Sequence, residues 1–274
     1  MKKFTAILLT ALMILALVSC GTAPEKKTGE EAAPTAGTAA GEETDSAYVI
    51  GKGTLVVGIT DFKPMDYQDE NGKWIGFDAD LAAAFAKDLG VDVEFVEIDW
   101  DNKIMELNGK SIDCVWNGMT LTDEVKAAME TSNAYINNAQ IIVVKKDVAD
   151  QYKTAADCKD LQFAVENGSA GKDAAEDNGF TFTEVQYQSD ALMEVAAGTS
   201  DAAIIDSLMA GAMVGEGTGY ADLTTTAKLT TEEYGVGFRK GSDLAAKLND
   251  FFAANTAMIK ELAEKYGVQE ALID

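Results

Sequence analysis

The chain reads as an α/β protein made of two similar units that face each other across a cleft, and three observations predict it. From Leu55 to Trp116, apolar runs alternate with stretches of helical spacing in the order β, α, β, α, β, which indicates parallel strands with helices on their faces. Met105-Glu106 with Asp113 is echoed at a constant offset by Met193-Glu194 with Asp201, each unit being a helix, a glycine-containing turn and a strand opening with Asp. Both halves carry glycine turns near strand ends, in I-D-C-V-W-N-G-M-T-L-T-D-E-V-K (Ile112 to Lys126) and in E-N-G-S-A-G-K (Glu166 to Lys172). Backbone N–H groups lie unpaired at such junctions, and ligands of α/β folds sit there.

Each element has its own signal. Leu55 to Thr60 is a continuous apolar run, as expected of a strand covered on both faces. Asp61-Phe62-Lys63-Pro64 ends it as a loop, and Asp69-Glu70-Asn71-Gly72 reads as a hairpin-type turn. Phe77, Leu81, Ala84, Phe85 and Leu89 recur at helical spacing, and Gly90 closes that helix as a C-cap. Val91 to Ile98 alternates apolar and acidic residues as a half-buried strand, and Asp99-Trp100-Asp101 caps a helix through Leu107. The run from Ile112 to Trp116 is a strand, Asn117-Gly118 a tight turn, and Thr122-Asp123-Glu124 a helix N-terminus. Ile141 to Lys146 joins the two halves, and the second half has strands over Leu161 to Val165 and Ser200 to Ser207.

Composition narrows the function. The 274 residues, 47% hydrophobic, suffice for one or two domains with real cores. A net charge of -24, from 46 acids against 22 bases, argues against nucleic acid or an anionic membrane surface as a partner. With no His and a single Arg, Arg239, His-based acid/base chemistry and His metal sites are excluded, and any arginine clamp would have to use that residue. No metal or cofactor is expected.

The N-terminus has the layout of a secretory signal over residues 1–19, with Lys2 and Lys3 ahead of an apolar run from Phe4 to Val18 that is short for a membrane span. It ends in L-V-S-C-G, Leu17 to Gly21, which resembles a bacterial lipobox and implies that Cys20 is lipidated and becomes the mature N-terminus. Acyl chains contribute about 0.8 kcal/mol per buried CH₂, so the modification would hold the protein to a membrane outside the cytoplasm. Residues 20–46, rich in Ala, Thr, Gly, Glu and Pro, read as a flexible tether.

Four stretches carry a family resemblance: Asp69 to Ala86 (D-E-N-G-K-W-I-G-F-D-A-D-L-A-A-A-F-A), Ile98 to Asp101 (I-D-W-D), Gly109 to Thr122 (G-K-S-I-D-C-V-W-N-G-M-T-L-T) and Glu233 to Gly241 (E-Y-G-V-G-F-R-K-G). In order and spacing the chain resembles the periplasmic and lipid-anchored amino-acid-binding proteins of ABC importers, from about Thr54 onward. The resemblance implies a two-lobed clamshell fold, each lobe a mainly parallel sheet flanked by helices, with two hinge crossings. Lobe 1 would take residues 47–143 plus 233–274 and lobe 2 residues 144–232. Such a protein captures a small-molecule ligand by closure, works with a permease in the membrane and acts as a monomer. Cys114 and Cys158 would then lie in different lobes as buried free thiols.

The resemblance also assigns a ligand site. Asp61 and Phe62 match a loop that supplies an acid and a stacking ring, and Trp100 a second aromatic wall. Asn117, Gly118, Met119, Thr120 and Thr122 belong to the first-lobe stretch, where Gly118 and Thr120 match backbone and hydroxyl contacts. Ser169 and Ala170 match the second-lobe turn whose N–H groups meet a carboxylate, and Asp206 matches the carboxylate that receives an α-ammonium. Trp100 reads equally as a helix-start core residue, and Thr122 equally as a plain N-cap. One departure stands out: Val125 occupies the position of the family's carboxylate-binding Arg. Either Lys63, Lys126 or Lys172 replaces it as a point charge, or the ligand carries a differently placed anion or none. The many acids favour a cationic or zwitterionic ligand. The same fold also serves receptors as a sensing domain continuing into a spanning helix and an effector, absent after Tyr266-Gly267, and a few relatives are cyclohexadienyl dehydratases; no paired nucleophile and base is legible here.

Overall fold

A computed structural model describes residues 44–273. The expected signal segment, Cys20 and most of the expected tether lie outside the described residues. In chain order the first lobe opens with α1 (Asp45–Lys52), β1 (Thr54–Ile59), β2 (Tyr67–Gln68), β3 (Trp74–Ile75), α2 (Phe77–Leu89), β4 (Asp92–Glu97), α3 (Lys103–Asn108), β5 (Cys114–Thr120), α4 (Asp123–Ala128), β6 (Met129–Thr131) and β7 (Ile136–Asn138). The second lobe holds β8 (Gln140–Lys145), β9 (Gln162–Glu166), α5 (Ala170–Asn178), β10 (Thr181–Val185), α6 (Gln188–Ala197), β11 (Ala202–Asp206), α7 (Ser207–Met213) and β12 (Leu223–Lys228). The chain then returns to the first lobe with β13 (Glu232–Arg239), α8 (Leu244–Ala254) and α9 (Thr256–Tyr266).

Each lobe is built on one mixed sheet, in the order β4-β1-β5-β13-β6 with β7 on β13 in the first lobe and β10-β9-β11-β8-β12 in the second. The middle of each is parallel: β1 pairs β4 and β5 in the first lobe, and β9 pairs β10 and β11 in the second. The strands next to the crossings, β8 and β13, run antiparallel to β11 and β5, because a chain that leaves a lobe and returns reaches its sheet from the opposite direction.

Burial follows the side-chain period of β1. Leu55, Val57 and Ile59 are fully buried and share a core with Leu81 and Phe85 of α2, while Val56 packs with Ile98, Leu107, Ile112 and Val115 on the other side of the sheet. A side chain such as Leu81 or Phe85, fully buried, stabilises the fold by about 1.5–3 kcal/mol. The repeat has a structural basis as well: Asp113 accepts the Val56 N–H at 2.8 Å and Asp201 the Gln162 N–H at 2.9 Å, so each Asp ties its strand to the parallel neighbour.

Four sequence expectations shift. The first crossing falls at Ala139, between β7 and β8, earlier than residue 143, because all of β8 is paired within the second sheet. The second lies between β12 and β13, over residues 229–231. The tether ends earlier than residue 46, since α1 already starts at Asp45, where Arg239 Nε donates to the Asp45 carboxylate at 2.9 Å. Asn117-Gly118 is not a turn that ends its strand: β5 runs on to Thr120, and Gly118, at φ 55, is absorbed by a register shift against β13 between Gly235 and Gly237. Cys114 and Cys158 are buried free thiols, one in each sheet's lobe.

Candidate ligand site

Where the ends of β5, β9 and β11 meet, the two lobes enclose a cavity of about 230 Å³, below the range of drug-sized pockets and suited to a small metabolite. The lobes touch at its rim. Lys103 Nζ, on α3 of the first lobe, donates to the Gly168 carbonyl of the second at 2.8 Å, and a Cβ on Gly168 would stand 2.7 Å from Asp101 Cα. Only a glycine allows that approach.

The first-lobe wall is fixed by hydrogen bonds that leave few groups free. Asn117 Oδ1 accepts from the Thr60 N–H at 2.8 Å and from the Thr60 hydroxyl at 2.6 Å, and Asn117 Nδ2 donates to Asp66 at 2.7 Å. The Gly118 N–H donates to Asp78 at 2.7 Å. A Cβ on Gly118 would lie 2.2 Å from Phe62 Cε1, so this glycine lets the Phe62 ring close over β5, where it meets Tyr234 edge-on at 6.3 Å. Asp66 and Asp78 are fully buried, and burial pushes both carboxyls up, Asp78 to about 7. The Thr120 hydroxyl donates to Glu232 at 3.1 Å, and Thr122 Oγ1 caps α4 by accepting the Val125 N–H at 3.1 Å.

Asp206, at the end of β11, is the centre of the second-lobe wall. Its Oδ1 accepts from Asn138 Nδ2 and Gln140 Nε2, both at 2.5 Å, and its Oδ2 from the Gln188 amide. Asn138 and Gln140 flank the crossing at Ala139, and both also donate to Glu232 at the start of β13, at 2.6 and 2.8 Å. The site is thereby wired to both strands of the hinge. Burial and then the Glu232 charge push the Asp206 carboxyl up to about 8. Glu166, the last residue of β9, is likewise pushed up to about 8 by burial and then by Asp206.

Of the residues expected at the site, Phe62, Trp100, Asn117, Gly118, Met119 and Thr120 line the cavity, as do Thr122, Ser169, Ala170 and Asp206. Asp61 does not; it is exposed and lies outside the lining. Trp100 and Thr122 each combine both of their readings. Trp100 lines the cavity while packing with Ile98, Val115 and Val125 in an apolar cluster, and Thr122 lines it while capping α4. Ser169 caps α5 by accepting the Lys172 N–H at 3.2 Å. Val125 is apolar surface at 4% exposure, and of the lysines considered as substitutes Lys63 and Lys126 lie outside the lining. Lys172 is in it, but its Nζ pairs with Glu184 at 2.8 Å.

Sequence reasoning missed Glu166, Gln140, Gln188 and Lys103. Glu166 had a signal, since it ends a second-lobe strand just as Asp206 does. Gln140 and Gln188 begin a strand and a helix and had none. Lys103 Nζ sits 5.0 Å from the Trp100 ring, and burial lowers its pKa against the opposing pull of Glu166 and Glu124. Six carboxylates in all, Asp101, Glu124, Glu166, Asp173, Glu176 and Asp206, line the cavity against two lysines. Among the described residues no group of three or more potential ligands is arranged to hold a metal ion, and no helix is long and apolar enough to cross a membrane.

Residues 55–269 match the model of family 3 of the bacterial extracellular solute-binding proteins. The chain belongs to that family. This solute-binding protein is 31% identical over 255 residues to the arginine-binding extracellular protein ArtP of Bacillus subtilis, covering 91% of each chain. Its fold matches the crystal structure of an ABC uptake transporter substrate-binding protein from Streptococcus pneumoniae with bound histidine, at a TM-score of 0.78, 28% identity, and coverage of 84% of this chain and 99% of that one. It also matches the ancestral amino acid-binding protein AncCDT-1, a precursor of cyclohexadienyl dehydratase, at a TM-score of 0.74, 34% identity, and coverage of 81% and 98%. The two-lobed clamshell architecture is therefore that of amino-acid-binding proteins of known structure.

Proposed function

We propose that this solute-binding protein is the lipid-anchored, monomeric substrate-binding component of an ABC importer. It captures a small amino acid or related amine, cationic at neutral pH, between its lobes and delivers it to the permease without chemical change. The observation that carries the ligand class is the excess of carboxylates in the cavity, with Asp206 held by amides from the hinge and Glu166 beside it. A buried carboxylate with a raised pKa is an incomplete ion pair, and an ammonium or guanidinium supplies the missing charge. The arginine in the name of the Bacillus subtilis relative agrees with a cationic guest. The link from Asp206 through Asn138, Gln140 and Glu232 to both crossings gives the ligand a route to favour the closed form.

Isothermal titration against a panel of amino acids and amines tests the reading. Binding of a cationic member at micromolar affinity, with acidic amino acids silent, is expected. A preference for glutamate or aspartate, or no binding by any member at millimolar concentration, would overturn it.

A further inference from the structure

We propose that the ligand is an organic dication without a carboxylate, one cationic end between Asp206 and Glu166 and the other at the cavity mouth among Glu124, Asp173 and Glu176. This inference rests on reading the cavity as an amine site and names the substrate class within it.

The cavity is poor in free donors and rich in acceptors. A ligand carboxylate needs free donors, and two on the first-lobe wall are spent, the Gly118 N–H on Asp78 and the Thr120 hydroxyl on Glu232, while Thr122, whose oxygen accepts the Val125 N–H, has a single hydroxyl proton to give. Where a guanidinium would complete an anion site, Val125 offers only methyl groups. Lys172 is paired with Glu184, and Lys103 is turned to the carbonyls of Trp100 and Gly168. The first turns of α4 and α5 already carry Glu124 and Asp173, whose charges meet the helix dipoles that would otherwise attract an anion.

Acceptors, by contrast, are left over. Glu166, 4% exposed, stands in the lining beside Asp206, whose oxygens already accept three amides, and Gln140, 1% exposed and part of the lining, leaves its Oε1 without a partner among the described residues. That oxygen lies 3.0 Å from where a Cβ on Gly171 would stand, on the second-lobe wall. A buried acceptor left unpaired costs about 1–3 kcal/mol, which an N–H donor of the ligand recovers.

The mouth has the same character. Glu124 comes from the first lobe, Asp173 and Glu176 from the second, so closure gathers like charges from both sides. Burial, then Glu176 and Glu124, raise the Asp173 carboxyl. A cation between them turns that repulsion into attraction, and the lack of any metal-holding group among the described residues points to an organic one.

The test pairs each α-amino acid with its decarboxylated counterpart on the intact protein: arginine with agmatine, lysine with cadaverine. Titration should show the decarboxylated member binding at least tenfold tighter in at least one pair. Equal or tighter binding of the amino acid overturns this inference while leaving the amine site in place; absence of binding by all four probes overturns both. Glu124→Gln, a change at an exposed position, should weaken the dication at least fivefold and leave 1-aminopentane unaffected. An unchanged dication affinity would remove the second subsite.

Discussion

At the scale of single residues, Asp206 concentrates the chemistry. Its carboxyl is raised above the 3.8 of an ordinary Asp to about 8, by burial first and Glu232 second. The sign follows from linkage: the folded, empty site holds a proton that the unfolded chain has released, so stability from that proton is lost as pH rises from the unfolded value through about 8. A cationic ligand favours the ionised form, and binding at pH 7 should release protons, with affinity rising from pH 6 to pH 8. Titration in two buffers of different ionisation heat measures this, and proton uptake would contradict it. Asp206→Ala should weaken binding at least tenfold and reduce the released protons; unchanged affinity would mean that the cation sits elsewhere. Asp206 was legible through the family resemblance, which assigns a carboxylate to that strand end. Its three amide partners were not, since they arrive from a crossing strand and from the start of α6, remote in sequence.

At the scale of elements, α1 is clamped to the first lobe by the one arginine of the chain. Arg239 Nε donates to Asp45 at 2.9 Å, Nη2 to Asp113 at 3.2 Å and Nη1 to the Ile112 carbonyl at 2.8 Å, and Asp113 is fully buried. Removing one partner of a buried pair costs about 3–5 kcal/mol because the remaining charge is stranded. Arg239→Met should therefore lower the urea-unfolding free energy by that order, with part regained on adding Asp113→Asn. A loss below about 1 kcal/mol would show that Lys52, 2.5 Å from Asp113, suffices alone. Sequence singled out Arg239 as the chain's one arginine but could not supply its partners. Helix α2 and its Gly90 cap, at φ 76, were readable because periodicity and cap act within one element. The continuation of β5 through Gly118 was not, because pairing with β13, more than a hundred residues away, decides it.

At the scale of the whole molecule, the hydrogen bond from Lys103 to the Gly168 carbonyl joins the two lobes across the cavity, and the proposed capture of a ligand would tie binding and shape into one equilibrium. The proposed tether to a membrane belongs to this scale too. Cys20→Ser should move the protein from the membrane fraction to the soluble fraction of cells that make it, and continued membrane association would sink the lipid anchor.

The sequence by itself determined the α/β class and the doubled architecture, because hydrophobic period, glycine turns and capping residues act over a few neighbouring positions, and its family resemblance supplied most strand-end positions at the cavity. Tertiary structure alone decided which donors and acceptors remain available to a ligand. Val125 could be read as a missing guanidinium, but that the Gly118 N–H is spent on Asp78 and the Gln140 oxygen left over depends on side chains brought together from distant parts of the chain. Hydrogen-bond satisfaction is a property of the packed site, and no local pattern encodes it.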